Sequence, residues 1–269
     1  MNEPIQWTLN QMPPAQDAHL SIMSPENVET ARTFHRSFPQ YAPTPLARLH
    51  GMARHLGLGG LFVKDESYRF GLNAFKVLGG SFAMARCIAG QLGRDMAGMT
   101  YDYLTSDAFR AEFGQTVFFT ATDGNHGRGV AWAARQLGQK AVVRMPKGSS
   151  QRRFDHIARE GAQVTIEQVN YDGCVRLAAA EAAQTPRGVV IQDTAWEGYE
   201  ELPAWIMQGY GTMAAEAAEQ LGRRPTHVLV QAGVGSLAGA VVGYFSNLYP
   251  ENPPRFIVVE ARAADCLYR

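Results

Sequence analysis

Val228-Leu229-Val230-Gln231-Ala232-Gly233-Val234-Gly235-Ser236-Leu237-Ala238-Gly239 passes from a strand-sized apolar run through a glycine turn into an apolar helix. From Val228 to Phe245 no residue is charged, which approaches the length of a membrane-spanning helix. Gln231, Ser236 and glycines 233, 235, 239 and 243 interrupt that run, so strand, turn and helix is the better reading and a soluble protein is expected.

The same grammar recurs along the chain. Leu61–Val63 leads into a helix near Phe75–Leu92, Val117–Thr120 into one near Gly127–Leu137, and Ala141–Met145 into one near Ser150–Glu160. Gln163–Glu167 precedes a helix near Asp172–Ala183, Gly188–Gln192 one near Pro203–Leu221, and His227–Val230 one near Leu237–Leu248; Arg255–Glu260 is a last strand. Strands alternating with helices predict an α/β fold, with a mostly parallel sheet and helices on both faces. Val228–Val230 and Phe256–Val259 are apolar at consecutive positions, the pattern of strands buried on both sides. In such sheets ligands sit beyond the carboxyl ends of the strands, so chemistry is sought in the turns that follow them.

Composition narrows the function. The 269 residues carry 25 Lys+Arg against 25 Asp+Glu, a formal net charge of +0, with 46% hydrophobic and 19% charged residues. Disorder is excluded, and a dedicated nucleic-acid binder would show a basic excess. Cys87, Cys174 and Cys266 are odd in number and far apart, which fits a reducing, cytoplasmic setting rather than a disulfide framework. Met1-Asn2-Glu3-Pro4 lacks the basic patch and apolar stretch of a secretory signal. No H-x₃-H or C-x₂-C spacing occurs, so no metal site is expected.

Four turns are candidates. In Asn73-Ala74-Phe75-Lys76-Val77-Leu78, Lys76 opens a helix between apolar neighbours. Buried there, its amine would lose its proton more readily and could form an imine with an aldehyde; with its stem on apolar surface and its tip in water it would be inert. Thr122-Asp123-Gly124-Asn125-His126-Gly127-Arg128-Gly129 follows a strand and opens a helix, aiming backbone N–H groups and short polar side chains at the ligand end. A helix cap accounts for one of those polar residues but not for Asp, Asn and His interleaved with glycines. For His126 a packing or helix-start role stands beside that of a base. Gln192-Asp193-Thr194-Ala195-Trp196-Glu197-Gly198-Tyr199 places Asp193 just past a strand, where a carboxylate near Lys76 could exchange protons with a substrate; a plain turn leaves the two aromatic residues unexplained.

The fourth turn is Gly233–Leu237, whose N–H groups and helix start suit an anion. It has two readings. Gly233, Gly235 and Ala238 also fit G-x-G-x-x-A, and Glu260 ends the next strand where a ribose-binding acid is expected, so an NAD(P)-dependent oxidoreductase is a rival. Cys266, close to the same strand end, reads as a buried bystander rather than a nucleophile.

Taken together, Pro43-Thr44-Pro45-Leu46, Asn73–Lys76, Gly124-Asn125-His126 and Gly233–Leu237 resemble the fold-type II pyridoxal-phosphate enzymes, the tryptophan-synthase β and threonine-dehydratase group, in motif, order and separation. The strings Lys64–Ser67, Phe70–Lys76, Thr122–Trp132 and Gln192–Tyr199 resemble its diaminopropionate ammonia-lyase branch, over about Ala31 to Arg269; Asp123 is the telling position, since serine and threonine dehydratases usually carry a small hydroxyl residue there. The resemblance implies pyridoxal 5'-phosphate carried on Lys76, its ring hydroxyl on Asn125 and its phosphate cradled by Gly233, Val234, Gly235, Ser236 and Leu237. It implies elimination of ammonia from D- and L-2,3-diaminopropionate to give pyruvate, with Lys76, Asp123 and Asp193 as the catalytic groups. Two carboxylates would hold the β-ammonium protonated, as a leaving group must be. The resemblance further implies a homodimer, and a large domain (1–83 and 187–269) with a smaller α/β domain (84–186) inserted and able to close over substrate. Chains of this family run well past the position of Arg269, which implies that the partner of the ring nitrogen lies beyond these residues. A truncated fold with impaired catalysis is therefore a further expectation.

Overall fold

The computed structural model describes residues 5–10 and 19–268; Met1–Pro4, read above for a signal, lie outside them. Helix α1 (Pro25–Arg36) starts at Ser24, whose hydroxyl accepts the N–H of Asn27 at 3.2 Å, with proline in the first turn where it leaves no bond unmade. Strands β1 (Leu46–Arg48) and β2 (Phe62–Lys64) pair antiparallel around α2 (His50–His55). A 3₁₀ segment, Glu66–Gly71, leads to α3 (Lys76–Leu92), and the short helices α4 (Tyr101–Thr105) and α5 (Asp107–Phe113) follow.

Then comes the expected alternation: β3 (Val117–Ala121), α6 (Asn125–Gln136), β4 (Lys140–Met145), α7 (Gln151–Arg159), β5 (Gln163–Ile166), α8 (Tyr171–Gln184) and β6 (Gly188–Val190). These four strands form one parallel sheet in the order β5-β4-β3-β6. Helix α9 (Glu201–Leu221), β7 (His227–Ala232), α10 (Ser236–Leu248) and β8 (Arg255–Glu260) complete the described chain, with β7 and β8 paired parallel. No helix among the described residues is long and apolar enough to cross a membrane.

Strand β6 hydrogen-bonds to β3, and α3 runs unbroken from Lys76 to Leu92. One expectation needs correction. Strands β7 and β8 are not buried on both sides. Leu229, Ile257, Val258 and Val259 are exposed, and the helix that packs on the pair is α10.

The main core joins α1, α3, α6, α9 and α10. Helix α3 lies between α6 and α9 with almost no side chain in the gaps. A Cβ at Gly209 of α9 would strike the Leu78 carbonyl, one at Gly79 would meet the Tyr210 ring, and one at Gly129 of α6 would stand 2.8 Å from the Val77 nitrogen. Glycine is required at each crossing by close approach.

Below this layer a buried ionic cluster ties the Pro43–Leu46 segment to α9. Arg69 grips Glu216 with two bonds, 2.8 and 2.7 Å, and Glu66 with two more, both 2.8 Å; Lys64 Nζ adds a 2.7 Å pair to Glu216. Burial lifts the Glu216 carboxyl, but Arg69 and Lys64 outweigh burial and hold it at about 2 against an ordinary 4.5. A carboxyl depressed in the folded state adds stability above its unfolded value and loses it as pH falls through the folded one. We expect about 3 kcal/mol to disappear between pH 4.5 and 2 from this group. Urea unfolding checks it: Glu216→Gln is less stable than wild type at pH 7, and its stability varies less over that acid range.

Candidate active site

The site is assembled at the carboxyl ends of β3 and β6. Lys76 is the first residue of α3, and its side chain keeps 22% of its surface open while its amine donates to Oδ2 of Asp193, three residues past β6. The amine is thus neither sealed in an apolar pocket nor adrift in water; it ends on a carboxylate. It also lies 5.5 Å from the Phe75 ring centre and 5.6 Å from that of Tyr210.

Asp193 is 4% exposed. Burial pushes its carboxyl up, but His126 and Lys76 together hold it below the usual range. His126 opens α6, is buried, and donates from Nε2 to the Ile191 carbonyl at 2.9 Å, with Nδ1 3.8 Å from Asp193 Oδ2. Burial pushes the imidazole below its ordinary value, against the pull of Asp193.

Asp193 owes its position to its neighbours. Gln192 accepts the Thr120 hydroxyl and the Ala121 N–H, both at 3.1 Å, which pins the chain to β3. Tyr199 accepts the Gln192 N–H at 2.8 Å and donates to the Val190 carbonyl at 3.1 Å, while its ring stacks on Trp196 with centres 4.0 Å apart. The two aromatic residues that a plain turn left unexplained therefore brace the Asp193 loop.

Asp123 is placed differently. Its side chain is 74% exposed and pairs with Arg153 at 3.4 Å. Its link to Asp193 is Tyr171, the first residue of α8, whose phenol is raised by burial first, then by the charge of Asp193, and less by that of Asp123. Asn125 is exposed one helical turn before Gly129, the residue packed on the Val77 backbone, so it faces the start of α3. Tyr210 of α9 is buried, its hydroxyl unpaired, its phenol pushed well up by burial and then by Asp193.

The glycine turn meets this group through α9. Gly79, one turn after Lys76, packs on Ile206 and Tyr210, and Gly239, one turn after Ser236, would touch Met207. Both helix starts therefore rest on one turn of α9. Gly235 has φ +95°, Gly233 borders open space, and the buried Ser236 hydroxyl has no partner. A backbone nest, a 13-residue helix start and an unpaired donor fit a phosphate group. Val234 is exposed beside them and Leu237 is buried.

The dinucleotide reading does not survive here. The acid that reading relies on is already engaged, since both Glu260 oxygens accept backbone N–H groups, from Leu267 and Tyr268 at 2.9 Å each. Cys266 is exposed, not buried as expected, and its thiol donates to the Gly233 carbonyl at 2.8 Å.

Residues 38–269 match the family described as pyridoxal-phosphate dependent enzyme. The chain belongs to that family. It is 52% identical over 256 residues to the diaminopropionate ammonia-lyase of Salmonella typhimurium, covering 94% of this chain and 63% of that one. The enzyme of the same name from Escherichia coli K12 is 48% identical, with 92% and 62% covered. The chain thus spans under two thirds of the length of the curated relatives it matches. The holo crystal structure of the Escherichia coli enzyme superposes with a TM-score of 0.86, covering 92% of this chain and 63% of that one. Another structure of that enzyme, with an aminoacrylate–cofactor azomethine intermediate, superposes at 0.83 with 48% identity, covering 92% of this chain and 62% of that one. The cofactor of the family is pyridoxal phosphate, and the Lys76 amine and the Gly233–Ser236 nest are chemically suited to its aldehyde and its phosphate.

An unpaired buried hydroxyl costs a protein stability, whereas one that binds a ligand contributes affinity. Ser236→Ala is therefore expected to leave the cofactor-free chain within about 0.5 kcal/mol of wild type or more stable, and to weaken phosphate binding about tenfold. Urea unfolding and equilibrium dialysis with inorganic phosphate read the two quantities separately.

Proposed function

We propose that this chain is a pyridoxal-phosphate-dependent ammonia-lyase that converts D- and L-2,3-diaminopropionate, with water, to pyruvate and two molecules of ammonia. The observation that carries the reading is the Lys76 amine meeting the buried Asp193 carboxylate beside the ends of β3 and β6. The two relatives that bear this name support it. Lys76 would hold the cofactor, Asn125 would meet its ring hydroxyl, and Gly233, Val234, Gly235, Ser236 and Leu237 would cradle its phosphate. When bound, the pyridine ring accepts the electron pair left on the substrate's α-carbon.

The chain's own residues then have separable tasks. Asp193 takes or returns the proton of the Lys76 amine, and burial keeps that exchange away from bulk water. Asp123, exposed at the mouth, attracts a dicationic substrate and helps keep its β-amine protonated until it leaves. Acting on both enantiomers requires bases on opposite faces of the α-carbon. Lys76, Asp193 and Asp123 are the candidates for these two bases. Asp123, Asn125 and Tyr171 belong to the β3–β6 unit and the glycine turn to α9 and β7–α10, so the substrate would be held between the two. Free cysteines support a cytoplasmic setting, and the resemblance supports a homodimer. The 63% span and the uncovered β7–β8 face favour a second reading, in which these 269 residues alone bind cofactor but turn over weakly.

The test is direct. With pyridoxal phosphate the wild-type chain should gain an imine absorbance that borohydride fixes on Lys76, and Lys76→Ala should stay colourless. Pyruvate should appear from both enantiomers of diaminopropionate and far less from serine or threonine. Asp123→Asn should lose about 10²-fold or more on one enantiomer and Asp193→Asn on the other or on both. A colourless wild type, or turnover confined to serine or threonine, overturns the proposal; colour without pyruvate selects the second reading.

A further inference from the structure

His126 stands beside the Lys76–Asp193 pair, and the reaction proposed above gives it no task. Its Nε2 lies 2.9 Å from the Ile191 carbonyl oxygen, and a carbonyl only accepts, so the ring proton sits on Nε2. Nδ1 is then a bare lone pair. It is buried without a hydrogen-bond partner, and 3.8 Å away stands Asp193 Oδ2, the same oxygen that receives the Lys76 amine. Two acceptors facing each other out of water repel unless a proton comes between them.

We propose that His126 is a positioning residue for this pair: its Nδ1 accepts the hydrogen bond of a proton taken up by Asp193 from Lys76, so that Lys76 is released as a free amine. In that step the N–H bond of the ammonium breaks with its electron pair left on Nζ. An O–H bond forms on Oδ2 from a carboxylate lone pair, and Nδ1 receives that O–H as an acceptor. Charge balances, since a cation and an anion become two neutral groups beside a neutral imidazole.

The groups that face Asp193 are Lys76 from α3, His126 from α6, Tyr171 from α8, Tyr210 from α9 and Tyr199 from the loop after β6. Burial pushes all three phenols up, so they keep their protons and the exchange is confined to the lysine, the carboxylate and the imidazole. The proposal rests on reading Lys76 as the reactive amine, yet its geometry is testable without cofactor.

The experiment uses the cofactor-free chain labelled with ¹⁵N-histidine and ¹³Cγ-aspartate. NMR should find His126 in its Nε2–H form, and on acidification its Nδ1 and the Asp193 carboxyl should move together with one midpoint. Asp193→Asn should lower the proton affinity of that ring at least about tenfold. In a second arm, His126→Gln keeps a donor for Ile191 and removes Nδ1. It should slow imine formation between Lys76 and pyridoxal phosphate about tenfold near pH 7 and move the rate profile to higher pH, with near-UV circular dichroism unchanged. An Nδ1–H ring, separate midpoints, or a His126→Gln profile that overlays wild type overturns the proposal. A wild type that forms no imine sinks the lyase reading instead, and the NMR arm still decides the role of His126.

Discussion

The placement of α3 between two other helices, backbone against backbone, is the constraint on which everything else in this protein rests. Helix α6 presses on it at Gly129 and α9 at Gly209, each close enough that a methyl group would collide with main-chain atoms. Interiors are packed as densely as organic crystals, so a helix held this way has little room to shift. Lys76 is its first residue, and the position of the amine is set by these contacts as much as by Asp193. The same turn of α9 that receives α3 also receives α10, which carries the phosphate-suited turn. One helix thus fixes the spacing between two sites that belong to different parts of the chain.

Two of the buried groups of polar residues differ in how fully they are paired. The Arg69–Glu216–Glu66–Lys64 cluster is fully paired, and anchors the segment from Pro43 to Gly71 that delivers the chain to α3. Around Asp193 the pairing is incomplete: His126 Nδ1, the Tyr210 hydroxyl and the Ser236 hydroxyl have no partners among the described residues. Unpaired polar atoms out of water are costly and collect where a protein meets ligand or moves protons.

Much of this was legible in the sequence because it is local. The strands and helices from β3 onward lie within a few residues of their expected bounds, since their apolar runs and turn residues are contiguous. Lys76, Asn125, Asp193 and the glycine turn stood out because each follows a strand or opens a helix. Tyr210 gave no sign, being one aromatic residue in the middle of an apolar helix; only tertiary packing brings it beneath Lys76. Tyr171 opens a helix after β5 and was open to the same argument as Asp123. The pairing of β6 with β3 and the bond from the Cys266 thiol to Gly233 depend on contacts across the fold, which no spacing encodes.

Strands β7 and β8 carry a last consequence. Leu229, Ile257 and Val259 alternate with residues turned the other way, so among the described residues a ladder of aliphatic side chains lies open next to an unpaired outer edge of β8. An uncapped edge with a greasy flank is a template for another strand, from any chain that can extend alongside it.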